Sequence, residues 1–369
     1  LLNITVLLAL IALTLGILLS SNRELDFRDI GSFLRRSDPW FLTAAFGCMA
    51  GFILFEAISL HLICHALGHK CRFGSSIVYS TADVYYSAIT PSAAGGQPAS
   101  AYYMVKNGMS GGRATFALVF NLIAYTGAIL LLGLSAFILR PGIFGQFGSF
   151  VKVLVILGIV MQFLLLGFFI GCMFWHGAVL KCGNGLITLL CRMRIIKKEE
   201  KWRTKLVGAV DKYKDSRSIL RTHRMLFVFV LLLNVLQRAA QMLITCFVCA
   251  AAMPEASFLD IFVMQAFVTL GYNSIPFPGG VGAFEYMYLH VYCLRFDNAF
   301  ILAAMMVTRF ISYYICLAIS GVVTLAYHGA VMRRKKVADE TEQPTDGTAQ
   351  PPDTTEEPTT ETEDTHPDA

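Results

Sequence analysis

Charge is scarce in this chain. Asp, Glu, Lys and Arg make up 15% of its 369 residues, against about 25% in a soluble domain. The sequence also lacks a P-loop, an HExxH helix and a Gly-rich dinucleotide fingerprint. These absences remove the usual signatures of nucleotide hydrolysis, zinc proteolysis and dinucleotide redox chemistry. Basic residues are missing from residues 337–369, where 11 Asp/Glu stand among Thr and Pro. A stretch so poor in apolar residues cannot bury enough surface to fold and is predicted to be disordered. All 30 Lys/Arg therefore fall in residues 1–336, a basic body suited to anionic lipid head groups.

What fills the chain is apolar: 56% of residues are hydrophobic. They cluster into runs long enough to cross a bilayer, which takes roughly 20 residues. Six full spans are predicted, at 1–20, 39–62, 114–139, 150–176, 224–251 and 299–327; the first is read as a retained helix, not a cleaved signal. Two further apolar stretches are interrupted. One runs Ser75–Thr90, breaks at Pro91-Ser92-Ala93-Ala94-Gly95-Gly96-Gln97-Pro98, and resumes over Ala99–Asn107. The other runs Phe258–Ser274, breaks at Pro276-Phe277-Pro278-Gly279-Gly280-Val281-Gly282, and resumes over Ala283–Leu294. A 16-residue helix covers only about 24 Å, and Pro and Gly end helices. Each stretch is predicted to be a re-entrant hairpin of two short helices. The alternative, Pro/Gly clusters in surface loops with eight or more spans, stays open.

Basic loops predict the orientation. Lys181–Arg224 carries 13 Lys/Arg against four acids, and Arg333-Arg334-Lys335-Lys336 follows the last span. By the positive-inside rule both face the cytoplasm, and counting back places the two hairpins in opposite leaflets. The fold class is thus an all-α polytopic membrane protein. It has about six full transmembrane helices plus two broken hairpins in an inverted repeat, 39–139 and 224–327. Such repeats hold substrate near the midplane, where broken helices present backbone groups. Lys201–Asp215 could add an amphipathic interfacial helix.

Ionisable residues inside spans are costly and often functional. Glu56, Asp83, Arg238, Glu285 and Arg309 are the candidates. The plainer reading is charge pairing between helices, for example Glu285 with Arg309 or Glu56 with Arg238. Arginine suits a phosphate because its fork donates two parallel hydrogen bonds. Helix starts at Ala99 and Ala283 could add free N–H groups for an anion. His61, His65 and His69 recur every fourth residue with Cys64 beside them. No carboxylate accompanies them, so interfacial histidines are the commoner reading, and no metal site or cofactor is assigned. Gly108-Met109-Ser110-Gly111-Gly112 matches G-x-S-x-G, but a helix instead of a strand precedes it, so it is read as coincidence. Cys246 and Cys249 form a CxxC inside an apolar helix, where cysteine acts as a small hydrophobe.

Two of these segments carry a resemblance. Thr90–Pro98 with Tyr102-Tyr103-Met104 and Lys106-Asn107-Gly108, and Pro276–Glu285, resemble the two signatures of the lysylphosphatidylglycerol synthase transmembrane-region family. Arg309 with Tyr313-Tyr314 and Gly321 resembles its final-span pattern. Relatives known as multiple peptide resistance factors join this membrane region to a domain that transfers lysine from lysyl-tRNA to phosphatidylglycerol. The 33 residues after Lys336, 11 of them acidic, leave no room for that domain, so the expectation is the membrane half alone.

The resemblance implies lipid translocation in a bacterial cytoplasmic membrane. The substrate would be an anionic or aminoacylated phospholipid, or a polyprenyl-phosphate lipid. Pro91, Gly95, Gly96, Pro276, Pro278, Gly279, Gly280 and Gly282 would shape the backbone site, with Gln97, Tyr102 and Lys106 beside it. Arg238 and Arg309 would hold phosphate, and Glu285 would orient an arginine or meet a cationic head group. The enzyme alternative is phosphatidylglycerol lysyl transfer, alone or with a separate synthase. A third is a non-transporting scaffold for envelope assembly. Candidate partners are a membrane phospholipid, a separate synthase or glycosyltransferase, and a second copy of the chain. Nucleic acid enters only as lysyl-tRNA under the enzyme alternative.

Overall fold

A computed structural model describes residues 27–90, 95–174, 224–273, 280 and 282–341. Every element in them is helical: α1 Phe27–Arg36, α2 Pro39–Ala66, α3 Phe73–Ile89, α4 Gly96–Lys106, α5 Gly111–Leu139, α6 Pro141–Gln146, α7 Ser149–Phe174, α8 Arg224–Ala252, α9 Phe258–Tyr272, α10 Ala283–Tyr292, α11 Asn298–Arg309, a π-helical stretch Phe310–Ile315, and α12 Cys316–Thr341. Among the described residues, five helices are long and apolar enough to cross a membrane: Pro39–Ala66, Gly111–Leu139, Ser149–Met173, Met225–Ala252 and Asn298–Gly329. They match five of the six predicted spans. The sixth, residues 1–20, lies outside the described residues, as do Lys201–Asp215 and most of the acidic tail. Helix α12 runs to Thr341, a few residues into the stretch predicted to be unstructured. Two short helices, α1 and α6, were not predicted; α6 occupies the loop at 140–149.

The ends of these helices follow local chemistry. Asp38 caps α2 by accepting a hydrogen bond from Trp40 N–H, and Pro39 opens its first turn, where a missing N–H costs nothing. Ser257 caps α9 and Asp297 caps α11 in the same way. On α7 the large apolar side chains Val153, Ile156, Val160, Leu164 and Phe168 are exposed, as expected of a face solvated by lipid tails.

The inverted repeat can be read from one helix pair. Asp38 N–H bonds Ala251 C=O, Phe41 meets Phe247, Glu56 meets Gln237, and Ser59 meets Asn234. Rising numbers on α2 pair with falling numbers on α8, so the two helices run antiparallel. Hairpin α3–α4 starts from the end of α2, and hairpin α9–α10 starts from the end of α8. The hairpins therefore enter from opposite ends of the molecule.

Within each hairpin the arms also run antiparallel. Gln97 meets Asp83 and Ser100 Oγ bonds Tyr79 C=O in the first. Phe284 packs on Tyr272, and Tyr292 hydroxyl reaches Gln265 and Ile261, in the second. The long helices that close the halves then interlock. Helix α12 lies along the first hairpin through Gly321 against Tyr85 and Thr324 against Thr81. Helix α5 lies along the second through Gly133 against Leu270 and Phe137 against Phe267. Glycine at each contact lets helices approach closely, the usual device where water supplies no driving force. Gly158 does the same on α7, where a Cβ would strike the carbonyl of Leu270.

Candidate functional site

A cavity of about 650 Å³ lies among the two hairpins and the helices that clasp them. Its walls include Glu56 of α2, Asp83 and Ser87 of α3, Gln97 of α4, Tyr125 of α5, Arg238 and Gln241 of α8, Gln265 and Asn273 at the second hairpin, and Arg309 with Tyr313 on the last span. Such a volume lies in the range of small-molecule sites, about 300–1,000 Å³. Polar backbone and charge at this depth are tolerated because they line a cavity.

The second hairpin is built around an ion pair. Arg309 Nε donates to Glu285 Oε1 at 2.8 Å, and Arg309 Nη2 donates to Gly280 C=O at 3.1 Å. Glu285 Oε2 accepts the Gly282 N–H at 2.6 Å. The guanidinium stacks 4.1 Å above the Phe284 ring. Both residues are 6% exposed. Glu285 thus fills the N-terminus of α10, the place proposed from sequence for an anion. Gly282, at φ +83°, takes a left-handed conformation that glycine adopts without a Cβ penalty. The π-helical stretch begins right after Arg309; such bulges widen a helix and often mark functional positions. It turns Tyr313 toward the first hairpin, where its hydroxyl bonds Ala88 C=O at 3.3 Å.

The first hairpin is built differently. Thr90 hydroxyl donates to Tyr86 C=O at 2.6 Å and accepts from Gly95 N–H at 2.9 Å, joining the end of α3 to the start of α4. Helix α4 begins at Gly96, not Ala99. Gln97 and Pro98 lie in its first turn, where proline is tolerated. A Cβ on Gly96 would collide with Asp83 Oδ1, Ser87 Oγ and the Asp83 carbonyl. Asp83 Oδ2 accepts from Gln97 Nε2 at 3.1 Å. This helix start, too, faces a carboxylate.

The pairing of Glu56 with Arg238 weighed from sequence does not form. Glu56 Oε2 instead accepts from Ser80 Oγ at 3.0 Å and Gln237 Nε2 at 3.2 Å, with Asp83 beside it. Arg238 sits in an aromatic slot of the same cavity, 4.0 Å from the Tyr125 centroid and 5.1 Å from that of Phe52. Its Nη1 donates to Gln241 Oε1 at 2.6 Å. Its Nε is buried without a protein partner, and among the described residues it forms no salt bridge.

The remaining predicted residues separate. Gln97, Gly280, Arg238 and Arg309 line the cavity; Gly95, Gly96, Gly282 and Glu285 stand just behind the wall. Tyr102 is half exposed and its hydroxyl accepts from Lys106 Nζ at 3.3 Å; neither lines the cavity. Pro91, Pro276, Pro278 and Gly279 lie outside the described residues. Ser110 sits at the start of α5 between two helices, without the strand that a G-x-S-x-G nucleophile needs. Sequence reasoning missed a buried polar knot: Ser59 Oγ donates to Asn121 Oδ1 at 2.6 Å, and Asn234 Nδ2 donates to both. Each residue alone is an unremarkable polar interruption of a span.

The family described as the lysylphosphatidylglycerol synthase TM region matches residues 4–320. The chain belongs to this family. The match takes in both hairpins, the cavity and the Arg309 clasp. The chain is therefore a multi-pass membrane protein of a family tied by name to lysylphosphatidylglycerol. No curated protein matches it.

Proposed function

We propose that this protein translocates a phospholipid across the membrane, passing the head group through the cavity between the hairpins. The observation that carries the reading is Arg238: a buried guanidinium lining the cavity, with no carboxylate partner and an unused Nε. Burying a guanidinium with no carboxylate in contact is costly, and a phosphate oxygen meets that need in the geometry a guanidinium fork prefers. Glu56 and Asp83 line the same cavity. A head group carrying both a phosphate and an amine, as in an aminoacylated phospholipid, would meet both signs of charge. Arg309 is held by Glu285 and Gly280, so its role is to position the hairpin. In this reading the membrane is a bacterial cytoplasmic membrane, with the basic loops and the C-terminus on its cytoplasmic side by the positive-inside rule.

The test is movement of labelled phosphatidylglycerol, lysylphosphatidylglycerol and a polyprenyl phosphate across liposomes holding the purified protein. Wild type should move at least one, and Arg238→Ala should lose most of that rate while remaining folded. Equal rates in the two would remove Arg238 from the path, and no movement of any lipid would sink the class. The family name favours a second reading, synthesis of lysylphosphatidylglycerol. It requires that lipid to appear in extracts of a host that otherwise lacks it.

A further inference from the structure

The turn joining α2 to the first hairpin holds a cluster that lipid translocation does not use. His61 and His65 lie one helical turn apart near the end of α2, on one face, with ring centroids 4.3 Å apart. The chain then folds back over them. Gly68, at φ +77°, donates to His65 C=O, His69 N–H bonds Cys64 C=O, and Cys71 N–H bonds His69 C=O. This return brings Cys71 Sγ to 3.7 Å from His61 Nδ1. One ligand atom from each of His61, His65 and Cys71 lies within 4.8 Å of the others. From sequence, His61, His65 and His69 read as interfacial histidines with no metal site; the structure groups the first two with Cys71 and leaves His69 out.

The separation fits a shared ion. With zinc–nitrogen bonds of about 2.0–2.1 Å and zinc–sulfur bonds of about 2.3 Å, tetrahedral geometry puts the two ligand atoms about 3.6 Å apart. A hydrogen bond between thiol and imidazole gives a similar distance. His65 Nε2 is held 3.2 Å from the Cys71 carbonyl and His61 Nδ1 3.1 Å from Ser76 Oγ, so what points to an ion is the convergence of three ligand atoms within 4.8 Å of one another. Two imidazoles and one thiolate favour a borderline-soft ion over magnesium or calcium. His65 is exposed and Cys71 half-buried, so an ion can enter and a water can complete its shell.

We propose that His61, His65 and Cys71 bind a zinc-type divalent ion that staples the 67–72 turn to the end of α2. This inference does not depend on the translocation reading. Its test uses the full chain, purified with a histidine-free tag, stripped by chelator and titrated with zinc against a chromophoric competitor, then with cobalt(II). One equivalent per chain is expected, with a cobalt–thiolate charge-transfer band. Cys71→Ser should abolish the band, and His61→Ala or His65→Ala should weaken binding by more than about tenfold, since even residues that merely support a metal ligand are worth that much. His290→Ala should change nothing. Folded wild type without stoichiometric zinc, or with a cobalt spectrum lacking the thiolate band, overturns the site. So does zinc retained unchanged in Cys71→Ser. Should Cys71→Ser fail to fold, the wild-type cobalt spectrum decides alone.

Discussion

The two hairpins share a design and differ in how they spend charge. Each returns on a helix whose first turn meets a carboxylate, Glu285 in one and Asp83 in the other. In the second hairpin that carboxylate also holds Arg309, which reaches back to Gly280, so acid, arginine and backbone close into one clasp. In the first, Asp83 meets Gln97, Glu56 meets Ser80 and Gln237, and Arg238 stands apart. Buried charge is thus committed to architecture in one half and left facing the cavity in the other. This asymmetry, more than the symmetry, is the basis for proposing that a ligand binds beside Arg238.

The comparison breaks most visibly at the two arginines. Removing one partner of a buried ion pair costs about 3–5 kcal/mol, because the other charge is left behind. Arg309→Leu should therefore abolish or severely reduce the folded, monodisperse fraction in detergent after mild heating. Arg238→Leu removes a charge that has no ion-pair partner in contact, so it should cost well under the about 3–5 kcal/mol of a broken pair. Equal destabilisation by the two would mean that Arg238 is structural and would dissolve the asymmetry.

The glycines come next. Gly96→Ala drives a methyl into Asp83 and Ser87 and should force α3 and α4 apart, at about 1–3 kcal/mol. Adding Ser87→Ala should not restore stability, because the Asp83 carbonyl still blocks the site. Gly282→Ala meets no neighbour and pays only for its left-handed backbone, about 1–2 kcal/mol. Thermal shifts in that order would place crowding in the first hairpin and conformational strain in the second. The reverse order would contradict the packing at Gly96.

Much of this was legible in the sequence, for physical reasons that also mark where it failed. Span length and the Pro/Gly breaks are local properties, so five spans, both hairpins and the repeat could be placed. The Glu285–Arg309 pair was nameable because both charges sit in otherwise apolar runs. Whether Glu56 would choose Arg238 was not, since that depends on how α2 and α8 rotate against each other. The same rotation creates the Ser59–Asn121–Asn234 knot. Cys71 was hidden because it reaches the histidines only after a glycine-permitted reversal at Gly68.

The smallest expected effect tests that boundary directly. Tyr102 and Lys106 belong to the first signature by sequence but lie on the side of α4 away from the cavity. Surface changes clear of buried features usually stay within about 0.5 kcal/mol. Tyr102→Phe and Lys106→Ala should accordingly leave thermal stability unchanged, and lipid movement within about twofold of wild type, a factor worth only about 0.4 kcal/mol. A loss as deep as that of Arg238→Ala would show that the lipid approaches over the outer face of α4. The first hairpin would then carry two binding surfaces where the second carries one.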